Sequence, residues 1–363
     1  MAYTTIDDPS AYFHTQLYTG NGASSDHQIT NNANAGDFKP DWLWVKPRSL
    51  ADNHVLFDSS RGSDRQLKAN GNDAEDTHSP AKFTFLTNGF EIDSNDQNYN
   101  QNSATYVAWQ WKANGGTTTN VSSGTVDSNT TTACVRQINT TAGFGIYTYT
   151  ADANGEQFIE HGLPSRPLFV IVKNRGQTDA WCVGHEKNTG TTGWYNFLRL
   201  NDTDASAANG DRWLNTEPSA SVINLGANHE VGADGENYVC YAFSPIQGYS
   251  KFSKYVGNGN INGPFVHTGF KPQMIIIKDT SNTRNWAMAD IDLVTAGNGG
   301  VTNALFPNLN DAHDANARID FLSNGFKIRT TSTTWNNNNS NYIYMAWAKS
   351  PYVSSEGVPT TAF

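Results

Sequence analysis

The chain has 363 residues, of which 12% are aromatic and 16% charged, with a formal net charge of −10. The acidic balance repels a phosphate backbone and no run of Lys or Arg forms a basic stripe, so nucleic acid is excluded as a partner. No window approaches the roughly 20 apolar residues of a membrane-spanning helix, and abundant Gly, Asn, Ser and Thr suit short strands joined by turns, so the composition points to an all-β fold.

The opening stretch, Met1 to Asp8, has neither a basic start nor an apolar run, so no signal peptide is expected and synthesis in a reducing cytoplasm fits. Cys134, Cys182 and Cys240 lack the paired spacing of a zinc site and are expected as buried, reduced thiols. The first lead-in is Tyr18-Thr19-Gly20-Asn21-Gly22, followed by a strand that starts at Pro40 and runs Trp42-Leu43-Trp44-Val45-Lys46. Proline can open a strand because its first residue need not donate to the ladder. Next comes Leu86-Thr87-Asn88-Gly89-Phe90-Glu91-Ile92, where Asn-Gly between apolar residues predicts a hairpin with a type I′ turn. The strand Tyr106-Val107-Ala108-Trp109-Gln110-Trp111 closes the unit; its period of two puts Val107, Trp109 and Trp111 on one face, expected to look into the core.

The same markers return twice. Pro167 and Pro272 again precede a lysine by six positions, at Lys173 and Lys278. The closing strands are Tyr238-Val239-Cys240-Tyr241-Ala242-Phe243 and Tyr342-Ile343-Tyr344-Met345-Ala346-Trp347, and the lead-ins start at Tyr149 and Tyr255. The Asn-Gly hairpin recurs at Asn324-Gly325, while the middle copy departs with Asn224-Leu225-Gly226. The repetition predicts three tandem, diverged antiparallel β-sandwich (jelly-roll-like) units at residues 1–116, 143–247 and 248–352. Residues 117–142 read as a Ser/Thr/Asn-rich linker and 353–363 as a C-terminal tail, with Tyr249 and Phe252 at the joint of the last two units.

Phe38-Lys39-Pro40, Phe57-Asp58-Ser59-Ser60-Arg61-Gly62, the Asn-Gly-Phe hairpins, the Tyr-Val-Ala-Trp strand and Gly248-Tyr249-Ser250-Lys251-Phe252 resemble a domain of unknown function in virion proteins of marine tailed bacteriophages. The resemblance spans nearly the whole chain and brings no catalytic motif with it. It implies a non-enzymatic virion structural protein: a tail-fibre or receptor-binding component contacting host-surface glycan or, alternatively, a capsid decoration protein. Its partners would be other virion proteins and further copies of itself, since particles are symmetric. A glycan-cleaving tail enzyme is a second alternative, which needs two carboxylates flanking a cleft that spacing alone does not nominate.

No catalytic residue and no cofactor is expected, because no metal-binding helix motif, nucleophile elbow or phosphate loop is present. The adjacent pairs Glu160-His161, His185-Glu186 and His229-Glu230 point to opposite faces of a strand and cannot share one ion. Asp93, Asp96, Asp234 and Glu236 are weak calcium candidates, being hard oxygen ligands in loops without the position-by-position pattern of a known calcium loop. Trp181, Trp194, Trp213, Trp286 and Trp335 lie beside Asn, Asp or Gly instead of in apolar runs, which makes them the glycan-stacking candidates.

Overall fold

Apolar and β-branched runs broken by Gly, Asn and Pro give strands almost throughout; a computed structural model describes residues 2–32, 38–188, 193–295, 301–315 and 318–359. The first part of the chain contains β1 (Phe13–Thr19), β2 (His27–Ile29), β3 (Trp42–Pro47), β4 (Val55–Asp58), β5 (Gly62–Lys68), β6 (Asp76–Thr77), β7 (Phe83–Leu86), β8 (Gly89–Ile92) and β9 (Thr105–Trp111). They form a six-stranded sheet of order β1-β9-β3-β4-β5-β6 and a three-stranded sheet β2-β8-β7.

The middle part contains β10 (Thr119–Val121), β11 (Thr125–Val126), β12 (Asn129–Thr130), β13 (Cys134–Asn139), β14 (Phe144–Thr150), β15 (Gln157–Glu160), β16 (Phe169–Asn174), β17 (Cys182–His185), β18 (Asn196–Arg199), β19 (Ala207–Ala208), β20 (Val222–Leu225) and β21 (Asn237–Phe243). Its large sheet has the order β10-β13-β14-β21-β16-β17-β18-β19, with β15-β20 as the small sheet and β11-β12 as a separate hairpin. The last part contains β22 (Ser250–Val256), β23 (Phe265–His267), β24 (Phe270–Asp279), β25 (Ala287–Thr295), β26 (Val301–Leu305), β27 (Asp314–Ala315), β28 (Ile319–Leu322), β29 (Gly325–Ile328), the single helical turn α1 (Thr333–Asn336) and β30 (Asn341–Pro351). Its sheets are β22-β30-β24-β25-β26-β27 and β23-β29-β28.

One pairing order therefore occurs in all three large sheets, called first, second and third below, with β13 and β10 added to the edge of the second. Lys46, Lys173 and Lys278 occupy the same register, opposite Val107, Val239 and Ile343. The closing tyrosines behave alike too. Each hydroxyl accepts the N–H five residues back and donates to the carbonyl nine back: Gln101 and Gln97 for Tyr106, Ala233 and His229 for Tyr238, Asn337 and Thr333 for Tyr342. Each also stacks on the lead-in tyrosine, Tyr18, Tyr149 or Tyr255, with ring centroids 5.0, 5.2 and 4.8 Å apart.

The placement of the core departs from a row of separate sandwiches. Each large sheet does cover its small sheet, through buried clusters that include Val45, Phe57 and Phe90 in the first, Val172, Cys240 and Ile223 in the second, and Ile277, Tyr344 and Phe326 in the third. The other faces of all three large sheets turn inward onto one shared cluster containing Val107, Trp109 and Trp111, Val239, Tyr241 and Phe243, and Ile343, Met345 and Trp347. At its centre Trp111, Phe243 and Trp347 touch pairwise, with centroids 6.4, 5.4 and 5.4 Å apart, closing a triangle of three register-equivalent rings. Tyr249 and Phe252 belong to the same cluster, where Phe252 packs on Phe169, Phe243 and Trp347.

Two local expectations change. The stretch 117–142 is no bare linker: β13 pairs with β14 through Gln137 opposite Ile146, and Cys134 and Gln137 are buried, because a polar Thr-rich segment can serve as a covering edge strand. At the Asn88-Gly89 hairpin the positive φ falls on Gly89 (98°) and not on Asn88, and at Asn324-Gly325 on neither residue, so neither turn is type I′. Glycine is required there for space: a Cβ on Gly89 would lie 2.1 Å from the Ile29 carbonyl oxygen of β2, and one on Gly325 2.1 Å from that of Val266 in β23.

Because Trp347 touches rings from both other sheets, Trp347→Ala should cost about 3–5 kcal/mol, and calorimetry should show one cooperative transition in the parent chain instead of three. Tyr238→Phe, which strips two backbone partners of their hydroxyl, should cost about 1–3 kcal/mol in denaturant unfolding, with Tyr106→Phe and Tyr342→Phe close to it.

Candidate functional site

The five tryptophans expected to stack on sugar are all interior, at 0–1% exposure. Trp181 and Trp286 are wedges between sheets: Trp181 Nε1 donates to the Lys68 carbonyl at the end of β5 (2.9 Å), and Trp286 Nε1 to the Arg199 carbonyl at the end of β18 (2.7 Å). Trp194 and Trp213 meet edge to face at 5.3 Å inside the second part, and Trp335 gives its carbonyl to the Tyr255 hydroxyl. The neighbouring amides that suggested sugar hydroxyls bind backbone instead: Asn201 Oδ1 accepts the Trp181 N–H and Asn308 Oδ1 the Trp286 N–H. A ring enclosed on both faces cannot stack on a ligand.

The calcium candidates are not brought together as two pairs. Asp96 closes a turn by accepting the Asn98 N–H at 2.8 Å, Asp234 is exposed, and Glu236 accepts from the Gln177 amide at 3.0 Å. Asp93 instead lies with Asp26 and Glu91, ligand atoms within 4.8 Å of one another, but it accepts the Asp26 N–H and Glu91 accepts from Gln28. Asp93 and Glu91 are thus engaged by the Asp26 backbone and the Gln28 amide. His161 and His185 are interior histidines and Glu230 is buried between Arg199 and Arg212, so the adjacent His-Glu pairs are structural.

What sequence reasoning missed is a set of buried polar groups that fasten each sheet to the next. Asp58, His185 and Asp290 are register-equivalent, opposite Trp42, Phe169 and Met274. Tyr241 of the second sheet donates to Asp58 of the first (2.6 Å), and Trp109 of the first donates to Asp290 of the third (2.9 Å). At the remaining junction Met345 has no polar atom to offer, and His185 Nε2 meets the Tyr344 carbonyl at 3.3 Å. Burial holds the His185 imidazole well down, at about 4, so it is neutral there.

The three lysines follow the same logic. Each is fully buried and pushed down to about 8 by burial, against the pull of nearby carboxylates. Lys46 Nζ donates to the Pro47 carbonyl and reaches Asn310 in the third part, Lys173 donates to Asn174 and Gln177, and Lys278 donates to Arg284 and to Thr203 in the second part. A charge network joins the first and second parts: Asp58 pairs with Arg61, and Glu75 accepts from Arg61 and Arg175. Burial pushes the Glu75 carboxyl up, but the two guanidinium groups outweigh it and hold it below its ordinary value.

The best-formed concavity, about 410 Å³, runs beside β1 where the first and third parts meet, and its walls include His14, Gln16, Asn32, Gln273, Asp292 and Lys349. Asp290 lies behind its lining residues Thr15 and Gln273, accepting from Thr15 (2.7 Å), Trp109 (2.9 Å) and Gln273 (2.8 Å). Burial, then the neighbouring Asp292 carboxylate, push the Asp290 carboxyl up to about 7. A raised acid beside a second carboxylate is chemically suggestive, but Asp290 is 0% exposed and both of its oxygens accept hydrogen bonds, so it acts as a fastener between sheets.

Among known proteins, the family described as Domain of unknown function (DUF7483) matches residues 8–351. No curated protein and no solved structure matches the chain.

The Asp290 shift fixes the sign of a pH effect. The native chain keeps a proton that the unfolded chain releases from about pH 4, so this group's contribution is greatest below that pH and is lost as pH rises towards 7. Asp290→Asn removes the dependence. The wild-type minus variant difference in unfolding free energy should fall by on the order of 4 kcal/mol between pH 4 and 7 and then level off, as read by urea titrations.

Proposed function

We propose that this chain, which belongs to the DUF7483 family, is a non-enzymatic structural component of a phage particle, of tail-fibre or capsid-decoration type. The observation that carries the reading is the closed arrangement of three equivalent sheets around Trp111, Phe243 and Trp347. A single chain with that pseudo-symmetry can seat on a threefold position of a symmetric assembly, presenting similar surfaces to three neighbours. The residues that resemble phage virion proteins support the same assignment.

Host-glycan contact loses its tryptophan platform, and adhesion through aromatic rings would fall to the exposed Tyr195, Phe265 and Tyr352. Glycan cleavage gains nothing from Asp290 and Asp292, since one member of the pair is sealed from solvent.

Quantitative mass spectrometry of purified particles with antibody labelling tests the proposal. On the order of hundreds of copies per particle would mark a decoration protein and a handful would mark the tail. Absence from particles that carry the gene would overturn it.

A further inference from the structure

We propose that the open edge of β1, with the groove beside it, accepts an extended strand from a different protein by β-strand addition. The inference goes beyond the particle assignment and stands on the comparison of three equivalent edges. β1, β14 and β22 hold the same place in the three large sheets, each paired with a closing strand: Phe13 opposite Trp111, Phe144 opposite Phe243, Ser250 opposite Trp347. In the second sheet the other side of β14 is covered by β13, whose Asn139, Gln137 and Val135 lie opposite Phe144, Ile146 and Thr148. In the first and third sheets, among the described residues, no strand takes that place.

The backbone of β1 is arranged to receive one. The Tyr12 carbonyl accepts from Lys112 and the Gly20 N–H donates to Ala104, so the even-numbered positions face β9. By the alternation of an antiparallel ladder, Phe13, Thr15 and Leu17 direct their N–H and C=O groups to the open side. The Leu17 carbonyl is met there by the side-chain amide of its own neighbour, Gln16, at 2.8 Å.

The 410 Å³ groove coincides with the seat that β13 fills in the second sheet. There Gln137 donates to the hydroxyls of Ser59 and Ser60 and accepts the Gly116 N–H at 2.7 Å. In the register of Asp58 and Asp290, Asp292 replaces Ser60, and Gln273 replaces Asp41. Asp292 accepts from Lys349 and Gln273 (2.8 Å each) and remains 37% exposed, so the incoming strand should carry a guanidinium, ammonium or amide donor opposite Thr15, where β13 carries Gln137.

The third edge is guarded: β22 carries Lys251 and Lys254, a usual defence of edge strands, whereas β1 (Phe-His-Thr-Gln-Leu-Tyr-Thr) has no Lys, Pro or acidic residue. The chain's own N-terminal segment does not fill the seat. Asp8 and Ser10 only line the groove beside the turn Pro9–Ala11, and further back Tyr3 and Thr4 bond to the carbonyls of Gly269 and Gln247.

The probe is a synthetic peptide with the sequence of residues 132–141, as it stands and with Gln137→Arg, added to the full chain at up to about 1 mM. Amide hydrogen exchange of Thr15 and Leu17 should slow about tenfold or more, most with the arginine peptide. A peptide N-methylated at Val135 and Gln137 should have no effect. Leu17→Pro should abolish the slowing at Thr15 while the chain stays folded, because the Leu17 N–H does not bond to β9 and its side chain is only partly buried against the shared core. Exchange unchanged by either peptide, or slowed equally in Leu17→Pro, overturns the proposal. Protection of β1 that grows with protein concentration without peptide, alongside dimers in sedimentation, would identify a second copy as the occupant and overturn the assignment to a different protein.

Discussion

Each large sheet is apolar on both faces, and that double demand determines the architecture. A small sheet can cover only one face, so the other must find an equivalent surface, and the nearest are those of the other two large sheets. Three twisted sheets meeting face to face leave a central space with room for one large ring from each, and Trp111, Phe243 and Trp347 occupy it. The three parts of the chain are then interdependent. None can present its inner face to water without exposing several large aromatic or aliphatic side chains.

Meeting at a common core also makes equivalent positions depend on each other across sheets. The donors Trp109 and Tyr241 each face a carboxylate on a neighbour, Asp290 and Asp58. At the third junction the would-be donor is Met345 and the would-be carboxylate is His185. The two departures compensate: a buried carboxylate facing a methionine would be an unpaired charge, costing several kcal/mol, whereas a neutral imidazole can satisfy itself on a backbone carbonyl. Where the three sheets touch, their differences offset one another.

Much of this was legible. Strand-rich composition, the proline-led strands, the closing strands and the inward face of Val107, Trp109 and Trp111 all follow from side-chain period and local propensity, which are local properties. The tryptophans misled because their neighbours are polar. Asn201 and Asn308 look like loop residues around an exposed ring, but they cap the backbone of rings driven into the adjacent sheet, and only tertiary contact distinguishes the two. Residues 117–142 misled similarly, since an edge strand covering another needs only one buried row and can be polar elsewhere. A signal for the fasteners did exist: Asp58 and Asp290 sit at matching distances after Lys46 and Lys278, a polar residue inside an apolar strand in two copies.

Where three copies obey one geometry, their differences at a shared position need explaining. At the outer edge of the lead-in strand the second copy has a covering strand, the third has lysines and the first has neither. Stability alone would have favoured one solution in all three, because an unprotected edge is a standing hazard for adventitious pairing. The first edge is also the one with a shaped groove, walled by Gln273 and Asp292, where the second copy seats a glutamine. An opening with no charge along its own strand, walled by the half-exposed Asp292–Lys349 ion pair, discriminates among strands by their side chains, which an accidental gap would not be expected to do. Departure from the repeat therefore locates selective contact more sharply than any surface aromatic does.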